Sequence, residues 1–139
     1  MTLSIRNQLP GTVTALTPGE VMATVRVRLT NGQDLTAAIT REAAEELGLT
    51  TGSSVHALVK STEVSLATAP VDGLSIRNQL PGTVTDITAG AAMTSVKIGV
   101  EGAELTAAIT TDAVTDLDLS ADTPVVALIK STEVSLATR

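Results

Sequence analysis

The 139-residue sequence has no cysteine and no phenylalanine, tyrosine or tryptophan. Without cysteine there is no disulfide framework and no thiolate metal site. The missing aromatics exclude more. Binders of single-stranded nucleic acid stack bases on aromatic platforms, and most small-molecule pockets have aromatic walls. Basic residues are scarce as well, nine against fifteen acidic ones for a net charge of −6, whereas a duplex binder carries a basic face. No stretch approaches the roughly 18 apolar residues of a membrane span, and no basic N-terminal end leads into an apolar segment. These absences predict a cytoplasmic chain with no nucleic-acid and no membrane partner.

What is present is a repeat. SIRNQLPGTVT stands at residues 4–14 and again at 75–85. Residues 3–68 align with 74–138, with one residue lost where Thr30-Asn31-Gly32 becomes Glu101-Gly102. The differences are uneven. Residues 3–14, 35–40 and 60–68 are unchanged in the second copy, while Arg28 has become Gly99 and Glu45 has become Thr115. A duplication that was merely recent would scatter its differences, so the three blocks are constrained together.

Each copy is predicted to be mainly β. Pro10-Gly11 reads as a turn before a strand at 12–16. In the next strand, 23–29, Val25, Val27 and Leu29 alternate with Thr24, Arg26 and Arg28, the period of a half-buried strand. Asn31-Gly32 is a hairpin signal, and 34–39 returns from it. Thr40 can cap a short helix over 41–47, with Glu42 in its first turn and Gly48 as its stop. Strands follow at 55–59 and 64–67. The order predicts two tandem OB-like five-stranded β-barrel domains, each with one short helix, over residues 1–68 and 74–139, joined by a linker at 69–73. A unit of about 65 residues buries only ~60% of its surface. Yet 43% of the chain is apolar and mean hydropathy is +0.31, which predicts burial against further copies in an obligate oligomer.

The unchanged blocks carry a set of hydrogen-bond donors: Ser4, Arg6 and Asn7, then Thr36 and Thr40, then Lys60, Ser61 and Thr62. In the second copy the set is Ser75, Arg77, Asn78, Thr106, Thr110, Lys130, Ser131 and Thr132. A guanidinium fork, an ammonium, hydroxyls and amides together suit an oxyanion. Solvated strand-end residues are the plain alternative.

SIRNQLPGTVT, LTAAIT and KSTEVSLAT, in that order and twice, resemble the Mop-type molybdate-binding domain, and the tandem resembles the di-Mop molbindins. The resemblance covers almost the whole chain outside the linker. It implies a cytoplasmic storage protein for molybdate or tungstate, with no organic cofactor, assembled as a homotrimer with anions held between neighbouring domains. It implies oxyanion-binding roles for Ser4, Arg6, Asn7, Lys60 and Ser61 and for Ser75, Arg77, Asn78, Lys130 and Ser131, to which Thr40 and Thr110 are added as candidates. Further sites near a threefold axis would fall on the loops Gly19, Glu20, Val21, Met22 and Gly90, Ala91, Ala92, Met93.

Other groups carry less. His56 aligns with Val126, and Met22 and Met93 are core filler more often than ligands. Glu42, Glu45 and Glu46, like Asp112, Asp116, Asp118 and Asp122, have no EF-hand spacing. With no phosphate loop and no nucleophile–base pair, no enzyme is expected. The competing functions are an anion-sensing regulatory module and a structural OB-like module for oligomerisation or nucleic-acid binding.

Overall fold

The computed structural model describes residues 2–138, so the expected outer domain limits at 1 and 139 lie outside the described residues. The first copy of the repeat forms β1 (Asn7–Pro18), β2 (Met22–Leu29), β3 (Asp34–Thr40), α1 (Arg41–Glu46), β4 (Ser54–Val59), a 3-10 turn (Ser61–Glu63) and β5 (Ser65–Ala67). The second forms β6 (Asn78–Thr88), β7 (Met93–Val100), β8 (Ala103–Thr110), α2 (Thr111–Asp116), β9 (Pro124–Ile129), a second 3-10 turn (Ser131–Glu133) and β10 (Ser135–Ala137). The protein is mainly β, as expected, in two five-stranded OB-like units. Val25, Val27 and Leu29 are buried as the alternation requires.

The sheets do not coincide with the repeats. The first has the order β10-β4-β1-β2-β3 and the second β5-β9-β6-β7-β8. The last strand of each repeat therefore completes the sheet of the other. Ser65, Leu66 and Ala67 lie antiparallel to Leu128, Ala127 and Val126, and Ser135, Leu136 and Ala137 to Leu58, Ala57 and His56. One apolar cluster runs through both units, from Val13, Val25 and Leu35 to Val84, Ile98 and Leu105.

Pro10-Gly11 is not a turn. Both residues lie inside β1, opposite His56 and Val55 of β4. The Pro10 carbonyl accepts from Thr30 N–H at 3.1 Å, so the imide nitrogen faces the β2 side just where β2 ends and no ladder bond is lost there. Gly11 is needed for close approach: a Cβ there would stand 2.6 Å from Val27 Cγ1 and 2.7 Å from the Arg28 carbonyl oxygen. The β1–β2 register then shifts between Val13 and Ala15, and the β6–β7 register likewise between Val84 and Asp86. These bulges bend the long strands that each unit shares between two neighbours.

Thr40 and Thr110 cap the short helices as expected, accepting from Ala43 N–H and Ala113 N–H. Gly48, at φ +63°, ends the first helix; Asp118, at φ +53°, takes the same conformation in the second. Arg28 and Asp34 pair across β2 and β3 at 2.6 Å, and the guanidinium holds the Asp34 carboxyl below the usual carboxylate range.

The hairpins differ by the lost residue. In the first, the Asn31 amide bonds Gln33 N–H and reaches the Val100 carbonyl of the other repeat at 2.7 Å. In the second, Glu101 and Gly102 join β7 to β8 directly, at φ +43° and +86°. Two positive-φ residues define a type I′ turn, whose first position favours asparagine over glutamate. Glu101→Asn is accordingly expected to stabilise the protein by about 0.5–1 kcal/mol, seen as a rise in the urea midpoint at unchanged slope; no rise, or a fall, refutes this account of the turn.

Candidate functional site

Ser4, Ile5, Arg6, Lys60, Ser61 and Thr62 line one cavity of about 250 Å³. Two unchanged blocks, 54 residues apart between Arg6 and Lys60, meet there because β1 and β4 are antiparallel neighbours with Asn7 opposite Val59. The segment just before β1 and the turn just after β4 thus share one end of the sheet. Gln8 Nε2 donates to the Ile5 carbonyl at 3.0 Å and fixes the Ser4–Arg6 segment. On the other side, Glu63 N–H donates to the Lys60 carbonyl at 2.9 Å and closes the turn that presents Ser61. Gln8 was not singled out from the sequence; its place three residues after Ile5, in an unchanged block, was the available signal.

The second repeat builds the same local arrangement. Gln79 Nε2 donates to the Ile76 carbonyl at 3.2 Å, and Lys130 enters its turn at φ −64°, ψ 137°, against −65° and 140° for Lys60. Ser75, Arg77, Lys130 and Ser131 therefore occupy the positions of Ser4, Arg6, Lys60 and Ser61.

Among the described residues, ion pairs join Arg28 to Asp34, Arg41 to Glu45 and Lys97 to Glu104. Arg6, Lys60, Arg77 and Lys130 take part in none of them. In a protein with a net charge of −6, these cations stand without carboxylate partners among the described residues. The hydroxyl of Ser61 is buried and is the buried side-chain polar atom without a hydrogen-bond partner among the described residues. Leaving such a group unpaired costs on the order of 1–3 kcal/mol. An anion with several oxygens would accept from Arg6, Lys60 and Ser61 together. It would relieve that cost.

Other expected site residues are elsewhere or engaged otherwise. Asn7 and Asn78 are buried, and their amides do not face the cavity as free donors. Asn7 Oδ1 accepts from Thr106 N–H and its Nδ2 donates to the Thr106 carbonyl, both at 2.8 Å; Asn78 does the same with Thr36 at 2.8 Å. Thr40 and Thr110 line different surfaces from the Arg6–Lys60 cavity and use their hydroxyls as helix caps. In the first candidate axial loop, Gly19 N–H donates to the Met22 carbonyl at 2.7 Å. Glu20 and Val21 border an open depression with Thr40, Arg41, Glu42 and Glu45. Its three carboxylates, against one guanidinium already paired with Glu45 at 2.8 Å, disfavour an oxyanion in the single chain. The loop from Gly90 to Met93 carries Ala91 and Ala92 instead and lacks that acid.

Together these features describe a strand-exchanged tandem of small β-barrels, with a cation-bearing cavity at one end of the first sheet and the equivalent residues at the same place in the second. The TOBE domain matches residues 3–66 and 74–136, and the chain belongs to the TOBE domain family. It is 41% identical over 138 residues to the molybdenum transport protein ModE of Azotobacter vinelandii, covering 99% of this chain and 51% of ModE. It is 43% identical over 136 residues to the molybdenum-pterin-binding protein MopB of Rhodobacter capsulatus, covering 96% of this chain and 50% of MopB. The chain thus spans about half the length of these curated relatives. The crystal structure of the cytoplasmic molybdate-binding protein ModG with molybdate bound superposes with a TM-score of 0.95 at 40% identity, over 99% of both chains. Among the described residues, no helix is long and apolar enough to cross a membrane.

Proposed function

We propose that this chain binds molybdate or tungstate reversibly and serves to store and buffer it. The observation that carries the proposal is the buried, unpartnered Ser61 hydroxyl in a cavity with two uncompensated cations. Arg6 and Lys60 supply donors alone, and the hydroxyls of Ser4 and Ser61 can donate as well, as can the matching groups of the second repeat. A fully deprotonated tetrahedral dianion satisfies such a shell at every oxygen. A phosphate oxygen that keeps its proton gains nothing from the two cations, which can only donate, and sulfate is smaller than the anion the cavity is proposed to fit. Binding of this kind uses hydrogen bonds and charge and requires no bond-making or redox step.

The assembly proposed is a homotrimer. Val21, Met22, Leu47 and Met93 are large apolar side chains exposed on the single chain, and packing against further copies would cover them. The doubled length of ModE supports a second reading, in which the same tandem serves as the anion-sensing part of a longer protein; the binding chemistry is common to both.

Calorimetry or a thermal shift tests the binding. A ligand held only by the folded protein stabilises it by about 2.7 kcal/mol at a hundredfold excess over Kd. Molybdate and tungstate are expected to raise the melting temperature, with sulfate at equal concentration nearly inert. Equal shifts with all three would reveal general salt stabilisation in place of a selective site. Light scattering checks the assembly, where a mass of 14.1 kDa at micromolar concentration would eliminate the trimer.

A further inference from the structure

We propose that Asn7 and Asn78 are positioning residues through which each repeat aligns the anion cavity of the other. The proposal rests on the oxyanion reading above. Asn7 directly follows Arg6, yet Arg6 is exposed and Asn7 is only 2% exposed; Asn78, after Arg77, is 4% exposed. A buried primary amide is costly unless both its ends are paired. Each of these is paired at both ends, and with a single residue of the opposite repeat, Thr106 or Thr36.

The geometry is that of a strand pairing reduced to one side chain. β8 and β3 are edge strands of their sheets. Thr106 lies opposite Lys97, and Thr36 opposite Arg26, in the ladders that cover the inner side of each edge. Their N–H and C=O groups meet the asparagine amide, which donates and accepts as a neighbouring peptide would. Asparagine has the right length for this. Aspartate would set an oxygen against the threonine carbonyl, and leucine would leave both edge groups unpaired.

Both walls of the first cavity stand on this platform. The segment carrying Ser4 and Arg6 is tied to β8 through Asn7, and the turn carrying Ser61 and Thr62 packs on β8 as well. The equivalent segment and turn of the second repeat have the same relation to β3, through Asn78 and the turn Ser131–Glu133. This accounts for the third unchanged block, residues 35–40 and 105–110, which carries neither of the cations. Its backbone is the seat of the other repeat's cavity.

The test isolates the cavities by their lysines. In a Lys130→Met background, the first-repeat cavity is left to bind molybdate; in a Lys60→Met background, the second is. Asn7→Leu is expected to weaken molybdate binding at least tenfold in the first background and less than twofold in the second, by calorimetry well below the melting temperature. Asn78→Leu is expected to do the reverse. A role in stability alone would lower the melting temperature without this crossed pattern. Equal effects in the two backgrounds, or no effect of Asn7→Leu on the first cavity, would overturn the proposal. Should Asn7→Leu fail to fold, Asn7→Ser, which can keep at most one of the two bonds, carries the same expectation and the same refutation. If the parent chain binds no molybdate, or the lysine changes do not separate two populations of sites, the oxyanion reading falls first and the positioning role with it.

Discussion

Replacing Lys60 and Lys130 together by methionine is expected to remove most of the molybdate capacity at sub-saturating concentration. Methionine keeps most of the apolar stem and deletes the cation. A charge-assisted hydrogen bond contributes about 1.5–3 kcal/mol, so each affected site weakens by about 10- to 150-fold. Either single change is expected to remove only part of the capacity, because Lys60 and Lys130 belong to different copies of the repeat. The fold should be little disturbed, since both lysines are exposed and neither joins an ion pair among the described residues. Lys97→Met is the control. Lys97 faces Glu104 at 3.8 Å and is not among the residues that line the Arg6–Lys60 cavity, so its loss should leave capacity intact. A double variant that keeps its oligomeric state and binds as much molybdate as the parent removes the lysines from the site.

Deleting residues 135–139 is expected to damage the first repeat more than the second. β10 is the outer neighbour of β4 in the first sheet, and its removal uncovers Leu58 and Ala57 while taking away Leu136. Leu136 is only partly buried, so its lost apolar burial falls below the roughly 1.5–3 kcal/mol of a fully buried leucine, and three residues of ladder pairing are lost with it. Amide exchange locates the damage. Protection should fall in residues 55–59 and hold in 125–129. A chain whose repeats folded independently would lose protection in 125–129, the strand nearest in sequence, and that result would refute the exchange.

The elements were largely legible in the sequence because alternation, capping and hairpin signals are local. Val25, Val27 and Leu29 are buried where the period requires, and Thr40 caps its helix. Pro10-Gly11 misled because the same dipeptide serves a turn or a strand edge under close backbone approach; only the neighbour at Val27 decides. The exchange could not be read at all. Residues 60–68 and 130–138 are identical, so nothing local says which sheet β5 or β10 joins. Of the candidate site, the grouping of Ser4, Arg6, Lys60 and Ser61 around one cavity was legible, whereas the engagement of the Asn7 amide with Thr106 was not. A side chain that binds a ligand and one that binds a strand look alike until the partner, 99 residues away, is known.

The exchanged strands have a consequence for how the protein behaves when scarce. A single repeat of this kind would have to find a second one in solution to complete its sheet, and the paired fraction would fall on dilution. Here the connection from Ala67 to Asn78 makes that encounter intramolecular, at an effective concentration in the millimolar range for a short connection. The pairing of repeats is then first-order and indifferent to abundance. A cell that makes few copies still has complete sheets in each of them.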